Sequence, residues 1–186
     1  MGLLRKEIAR RRKLIRHGEW RFLWVYPMYL FEEDDLGNLT YGHHPFTSPW
    51  PEDMELLDER PYDVRARAYD CVLNGVEISG GSVRIHDREL QERVFEILGM
   101  DRERIRAQFG HLLDAFEYGV PPHGGIAAGI DRLMMAIVGT DNVRDVVAFP
   151  KTQSHQDLML GAPSRVEEKQ LEELHVRVVP PKKSDS

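Results

Sequence analysis

The chain has 186 residues, about one domain's worth, and carries 25 Lys and Arg against 31 Asp and Glu, a formal net charge of −6. Hydrophobic residues make up 41% of it, enough for one packed core and too many for a chain disordered throughout. No stretch approaches the ~18 consecutive apolar residues of a membrane span. Residues 1–16 do not read as a secretory leader, and the single cysteine, Cys71, excludes an internal disulfide and a multi-cysteine zinc site. A reducing cytoplasm is the expected setting.

Residues 1–16 hold seven bases and one acid, Glu7. Their spacing fits a helix with Leu4, Ile8 and Ile15 on one side and a solvated basic face on the other, or a face that meets nucleic acid. Residues 21–31, RFLWVYPMYLF, read as strand, with Pro27 marking an edge or a break. A polar turn follows over residues 32–38. Four prolines between residues 45 and 62 predict an irregular connection, with one helical turn near Met54–Leu57.

Asn74-Gly75 between Tyr69–Leu73 and Val76–Ile78 is a hairpin signal, because a type I′ turn needs positive φ at both central residues. An unbroken ladder would set Leu73 against Val76, Val72 against Glu77 and Cys71 against Ile78. Asp70, Val72 and Glu77 then share one face. In the run Ser82–Ile85, Val83 and Ile85 point to the apolar side and Arg84 away from them.

Three helices are predicted next. The first runs from an Asp87 cap to a Gly99 stop and the second from Asp101 to about Gly119. The third spans roughly Gly125 to Val138, with Ile126, Ile130, Leu133, Met134 and Ile137 buried. Residues 143–149 read as a strand, 167–174 as a helix, and the tail from Pro180 as frayed. Hairpins segregated from helices make the class α+β, an antiparallel sheet with flanking helices.

Four constellations have chemistry in them. Asp70 and Glu77 on one hairpin face are either two solvated acids or the carboxylate pair a hard cation such as Mg²⁺ takes together with phosphate oxygens. Arg84 beside Ser79-Gly80-Gly81-Ser82 is either a surface arginine at a tight turn or a bidentate clamp on a carboxylate. Gly129-Ile130-Asp131-Arg132 opens a helix able to receive an anion; an Arg132 set among apolar residues would be partly desolvated unless paired. The alternative there is a plain surface patch. His43 and His44 point opposite ways in an extended segment, so they suit hydrogen bonding near an anion better than a shared metal. No nucleophile elbow or P-loop is present.

Together these segments resemble bacterial-type aspartyl-tRNA synthetase. The resemblance rests on His43-His44-Pro45-Phe46-Thr47-Ser48-Pro49, Ala68–Ile78, Gly80–His86, Phe109-Gly110 with Leu113-Asp114-Ala115, Pro121-Pro122-His123-Gly124-Gly125, Gly129-Ile130-Asp131-Arg132 and Asp145–Thr152, over about residues 20 to 177. It implies part of a class II aminoacyl-tRNA synthetase catalytic fold over residues 21–177. Residues 1–20 would be a basic helix trailing from an insertion domain, and 178–186 a flexible tail. Asp70 and Glu77 would hold Mg²⁺. Glu77, Gly129, Ile130, Asp131 and Arg132 would face ATP, with Arg132 on its γ-phosphate. Arg84 would clamp the aspartate carboxylate and His43 would lie near that substrate, so that Arg84, Arg132 and Glu77 carry the chemistry.

The activity implied is ATP-dependent activation of L-aspartate and its transfer to the acceptor end of tRNA, in the cytoplasm and away from membranes. The anticodon-binding domain and the first two class II motifs, including the one through which full-length members dimerise, are not among these residues. A C-terminal portion with little activity by itself is therefore expected. The alternatives are a non-catalytic paralogue that binds ATP or aspartate, and a binding or scaffolding module.

Overall fold

The computed structural model describes residues 2–16 and 18–179; the tail expected to fray from Pro180 lies outside them. The chain forms two compact units, Met1–Gly139 and Thr140–Ser186.

In the first unit, helix α1 (Gly2–Arg11) carries no buried residue, and its Glu7 accepts from Arg10 and Arg11 at 2.6–3.0 Å. The aromatic run is broken where expected. Strand β1 (Phe22–Val25) stops at Tyr26-Pro27, and β2 (Met28–Tyr29) and β3 (Phe31–Glu33) follow. The polar turn closes a hairpin with β4 (Leu39–Tyr41), and a 3₁₀ turn over Pro51–Leu56 supplies the expected helical turn. Strand β5 (Arg65–Ala66) pairs with β2. Strands β6 (Ala68–Leu73) and β7 (Val76–Val83) flank Asn74-Gly75, whose φ values of 49° and 82° are those a type I′ turn needs.

One expectation fails inside that hairpin. Leu73 does face Val76 and Val72 does face Glu77, but Cys71 faces Ser79, because Ile78 is an extra residue in a β-bulge. Beyond the bulge Asp70 faces Gly80 and Ala68 faces Ser82.

Asp87 and Asp101 cap α2 (Arg88–Ile97) and α3 (Arg102–Phe116), each accepting at 2.8 Å from a backbone N–H three residues on. The predicted third helix begins late. Residues Gly124–Ala128 are strand β8, paired antiparallel with β7, and the helix, α4, is Ile130–Val138. Pairing with β7 overrides the helical propensity of Ile-Ala-Ala. The apolar side of α4 is not buried: Ile130 and Ile137 are both exposed. The main sheet has the order β1-β6-β7-β8.

The core gathers where β2, β3 and β5 meet α2. Leu30, Phe31, Leu57, Val64, Ala66, Ala68, Ile85 and Val94 form one cluster. Phe95, Ile105 and Leu113 form a second, with Phe46 and Phe109 packed against it. Beside the first, the buried Asp53 carboxylate accepts from the Arg65 backbone N–H and, bidentately, from its guanidinium. Arg65 thereby holds that carboxyl below its ordinary range.

The second unit has little regular structure. The strand expected over 143–149 is absent: Val143–Asp145 is a 3₁₀ turn capped by the Asn142 side chain, and Asp145 accepts from Thr140 and Asn142. The predicted last helix is α5 (Glu168–Glu173). Among the described residues no helix is long and apolar enough to cross a membrane.

Phe95 is fully buried and stacks on Phe109 at 4.5 Å between ring centroids. Phe95→Ala is expected to destabilise the chain by about 3–5 kcal/mol in urea unfolding; a loss below about 1 kcal/mol would show that this cluster does not support the fold.

Candidate active site

The bulge decides which side chains share a face. Cross-strand partners lie on the same side of a sheet, and successive residues alternate. Leu23 and Val25 of β1, Asp70 and Val72 of β6, and Glu77, Gly80 and Ser82 of β7 therefore form one face. Trp24, Tyr69, Cys71, Ser79 and Gly81 form the other. Continued alternation puts Arg84 with the first group. Without Ile78 as the extra residue, Arg84 would lie opposite Asp70 and Glu77.

Two consecutive glycines make the centre of the sheet thin. A Cβ on Gly80 would come 2.6 Å from Asp70 Oδ1 and 3.8 Å from Glu77 Oε1, so the glycine leaves room for both carboxylates over the strand. A Cβ on Gly81 would strike the Gly125 carbonyl and lie 2.7 Å from the Tyr69 ring on the other face. Tyr69 covers that glycine and donates to the Gly125 carbonyl at 3.0 Å.

Burial, and then the Glu77 carboxylate, push the Asp70 carboxyl above its ordinary value; His43 pulls it down. Arg132 reaches the pair from α4. It donates to the Glu77 carbonyl at 2.9 Å and lies 3.5 Å from Glu77 Oε2. Its side chain is 51% exposed and paired with an acid, so of the two alternatives left by the sequence it is the surface arginine and not a desolvated one. Gly129 is the N-cap of α4 and donates to the Ile78 carbonyl at 2.7 Å. No side chain caps this helix, which leaves N–H groups near Ile130 and Asp131 available to an anion.

Asp70, Glu77 and Arg132 are thus brought together, with Gly129, Ile130 and Asp131 at the adjoining helix start. Arg84 is four residues from Gly80, ~13 Å along an extended strand. It contacts His44, a histidine to which the resemblance assigned no role. His43 is exposed and acts on Asp70 through its charge. The adjacent histidines were visible in the sequence; which of them meets Arg84 was not.

Among the described residues no three or more His, Cys, Asp and Glu gather as a metal cage. Two neighbouring carboxylates over a glycine fit a hard cation that keeps water and takes phosphate oxygens for its remaining ligands. The face is open. A cavity of about 510 Å³ lies on the Trp24 and Tyr69 face, one of about 620 Å³ lies between α1 and Leu23, Val25 and Val72 on the acids' own face, and one of about 550 Å³ is lined by His43.

Residues 5–153 match the family model for "tRNA synthetases class II (D, K and N)". The chain belongs to this family. It is 53% identical over 180 residues to the Aspartate--tRNA(Asp/Asn) ligase of Caldanaerobacter subterraneus subsp. tengcongensis, covering 96% of this chain and 30% of that protein. It is 54% identical over 179 residues to the Aspartate--tRNA ligase of Staphylococcus saprophyticus, with the same two coverages. The chain therefore spans about 30% of the length of these curated relatives. Among solved structures it is similar to the aspartyl tRNA synthetase from Entamoeba histolytica, with TM-score 0.57, 22% identity, and 84% of this chain and 27% of that one covered. It is also similar to the asparaginyl-tRNA synthetase from Pyrococcus horikoshii, with TM-score 0.52, 24% identity, and coverages of 72% and 27%. The α+β class with an antiparallel sheet agrees with these neighbours.

The two glycines make opposite demands. Gly81→Ala sets a methyl against backbone and is expected to lower the melting temperature markedly. Gly80→Ala sets it against the end of the Asp70 side chain, so it should leave the melt nearly unchanged. Equal melts for the two variants would contradict the face assignment.

Proposed function

We propose that these residues are the C-terminal catalytic portion of an aspartate–tRNA ligase that works in the cytoplasm on L-aspartate, ATP and the acceptor end of tRNA. The observation that carries this reading is the face shared by Asp70, Glu77 and Ser82, with Arg132 against Glu77 and with Arg84, like Ser82, in contact with His44. A nucleoside triphosphate and a small dicarboxylic acid need this pattern: acids for a phosphate-bound cation, and arginines for a phosphate and for the substrate's side-chain carboxylate. The identity of more than 50% to aspartate–tRNA ligases supports it.

In this reading Asp70 and Glu77 hold Mg²⁺, which when bound neutralises charge on the phosphates. Arg132 exchanges part of its contact with Glu77 for the γ-phosphate, beside the uncapped N–H groups at Gly129, Ile130 and Asp131. Arg84 receives the aspartate side-chain carboxylate in its fork, with His43 at the edge of the substrate. An α-carboxylate oxygen of aspartate attacks the α-phosphorus. The new O–P bond forms as the bond to the bridging oxygen breaks, and pyrophosphate leaves with that electron pair. A hydroxyl of the terminal tRNA ribose then attacks the aspartyl carbonyl; the bond from that carbon to the phosphate oxygen breaks, AMP leaves with the electron pair, and the hydroxyl proton passes to a phosphate oxygen of the departing AMP. The protein's part is orientation and charge stabilisation, which is where such phosphate chemistry draws its rate.

Aspartate-dependent exchange of pyrophosphate into ATP tests the reading. In a full-length enzyme containing this chain, Arg84→Ala should raise the aspartate KM by about 10²-fold, the usual cost of one such charge contact, and leave the ATP KM within a few-fold. Equal effects on both substrates would contradict the clamp. Aspartate binding with no exchange in the unmodified enzyme would favour a binding paralogue instead.

A further inference from the structure

Arg84 is held from behind. His44 Nδ1 lies 2.9 Å from Arg84 Nη1, and Nε2 also contacts that guanidinium nitrogen. Ser82 Oγ is 3.3 Å from His44 Nε2, and Thr47 Oγ1 is 3.3 Å from His44 Nδ1. Both hydroxyl residues are only 1% exposed. A guanidinium has donors and no acceptor, so the imidazole nitrogen that meets it must present a lone pair. A protonated ring has none. Burial, then Arg84, then His43 hold the His44 imidazole below its usual range, in the same sense as the guanidinium contact, which favours the unprotonated ring.

The ring stands on a fixed support. Gln91, fully buried in α2, donates to the Pro45 carbonyl at 2.8 Å. Ile85 N–H donates to the Phe46 carbonyl, and Ser48 N–H to the Val83 carbonyl, each at 2.9 Å. These bonds tie residues 45–48 to the end of β7, where Arg84 sits. Phe46 packs edge-on against both Phe95 and Phe109. A loop seated in this way has few rotamers to offer His44, and the ring in turn restricts an arginine that would otherwise swing freely over an open face.

We propose that His44 is a positioning residue for Arg84, accepting a hydrogen bond from its Nη1 and so aiming the rest of the guanidinium fork at a substrate carboxylate. The proposal rests on the aspartate–tRNA ligase reading above and adds to it the residue that preorganises the carboxylate clamp. Preorganisation favours an acid over its amide, because a fixed fork offers two parallel N–H donors to two carboxylate oxygens.

The test compares variants of a full-length enzyme containing this chain in aspartate-dependent pyrophosphate exchange. His44→Phe keeps a ring and removes both nitrogens; His44→Asn restores an acceptor near the place of Nδ1 and His44→Gln one near the place of Nε2. The phenylalanine variant should raise the aspartate KM about tenfold, the worth of one hydrogen bond to a charged group. Its kcat and ATP KM should stay within about twofold, and the asparagine or the glutamine variant, whichever matches the accepting nitrogen, should recover most of the loss, while recovery by neither would overturn the proposal. In an Arg84→Ala background His44→Phe should cost nothing more, because its effect passes through Arg84. An equal loss in that background, or a rise in the ATP KM matching that for aspartate, would overturn the proposal. If the unmodified enzyme shows no aspartate-dependent exchange, the ligase reading fails on its own. The ¹⁵N shifts of the His44 ring then still decide the contact: a neutral ring whose acceptor shift moves in Arg84→Ala supports it, and a protonated or insensitive ring overturns it.

Discussion

A single extra residue, Ile78, sets the chemistry of the sheet. Strand alternation is rigid, so one inserted position exchanges the two faces for everything beyond it. Glu77 precedes the insertion, and Gly80, Ser82 and Arg84 follow it. The exchange turns a strand that would present its acid and its arginine to opposite sides into one that presents both to the same side. Asp70, across the ladder from Gly80, falls on that side as well. The bulge also offers the Ile78 carbonyl to Gly129, so the start of α4, and with it Arg132, is anchored at the same irregularity.

The remaining constraints serve that face. Gly80 makes room for Asp70, while Gly81 lets β8 approach and takes the Tyr69 ring as cover on the far side. The two neighbouring carboxylates repel one another, and burial and then Glu77 hold the Asp70 carboxyl above its ordinary value. Arg132 supplies positive charge from one direction. At the other end, the aromatic cluster of Phe46, Phe95 and Phe109 holds the loop that carries His44 against Arg84. The apolar core therefore lies under the arginine end of the site, and the acid end rests on backbone geometry.

Much of this was legible in the sequence because it depends on local chemistry. Asn74-Gly75 demanded positive φ, Asp87 and Asp101 offered caps, and Pro27 interrupted a strand; each acts within a few residues of itself. The bulge left a trace too: the apolar positions are even at Val76 and Ile78 and odd at Val83 and Ile85. That change of parity is readable as two separate runs, and only the pairing with β6 and β8 makes it one strand. Strand β8 was hidden because Gly-Gly-Ile-Ala-Ala has no strand preference of its own and takes its form from β7. The apolar residues of 143–149 suggested a strand, yet Asn142 and Thr140 fold that segment into a capped turn with Asp145. Candidate residues for the acid pair and the arginines were likewise legible. The choice of His44 over His43 as Arg84's neighbour depends on side-chain direction in an irregular loop, which no periodicity encodes.

The most direct measurement is a crystal structure of a full-length enzyme containing this chain with a non-hydrolysable aspartyl-adenylate analogue bound. The analogue is expected on the face shared by Asp70, Glu77 and Gly80, with its side-chain carboxylate in the Arg84 fork and His44 behind it. An analogue seated on the Trp24 and Tyr69 face, or an Arg84 turned away from the bound carboxylate, would contradict it.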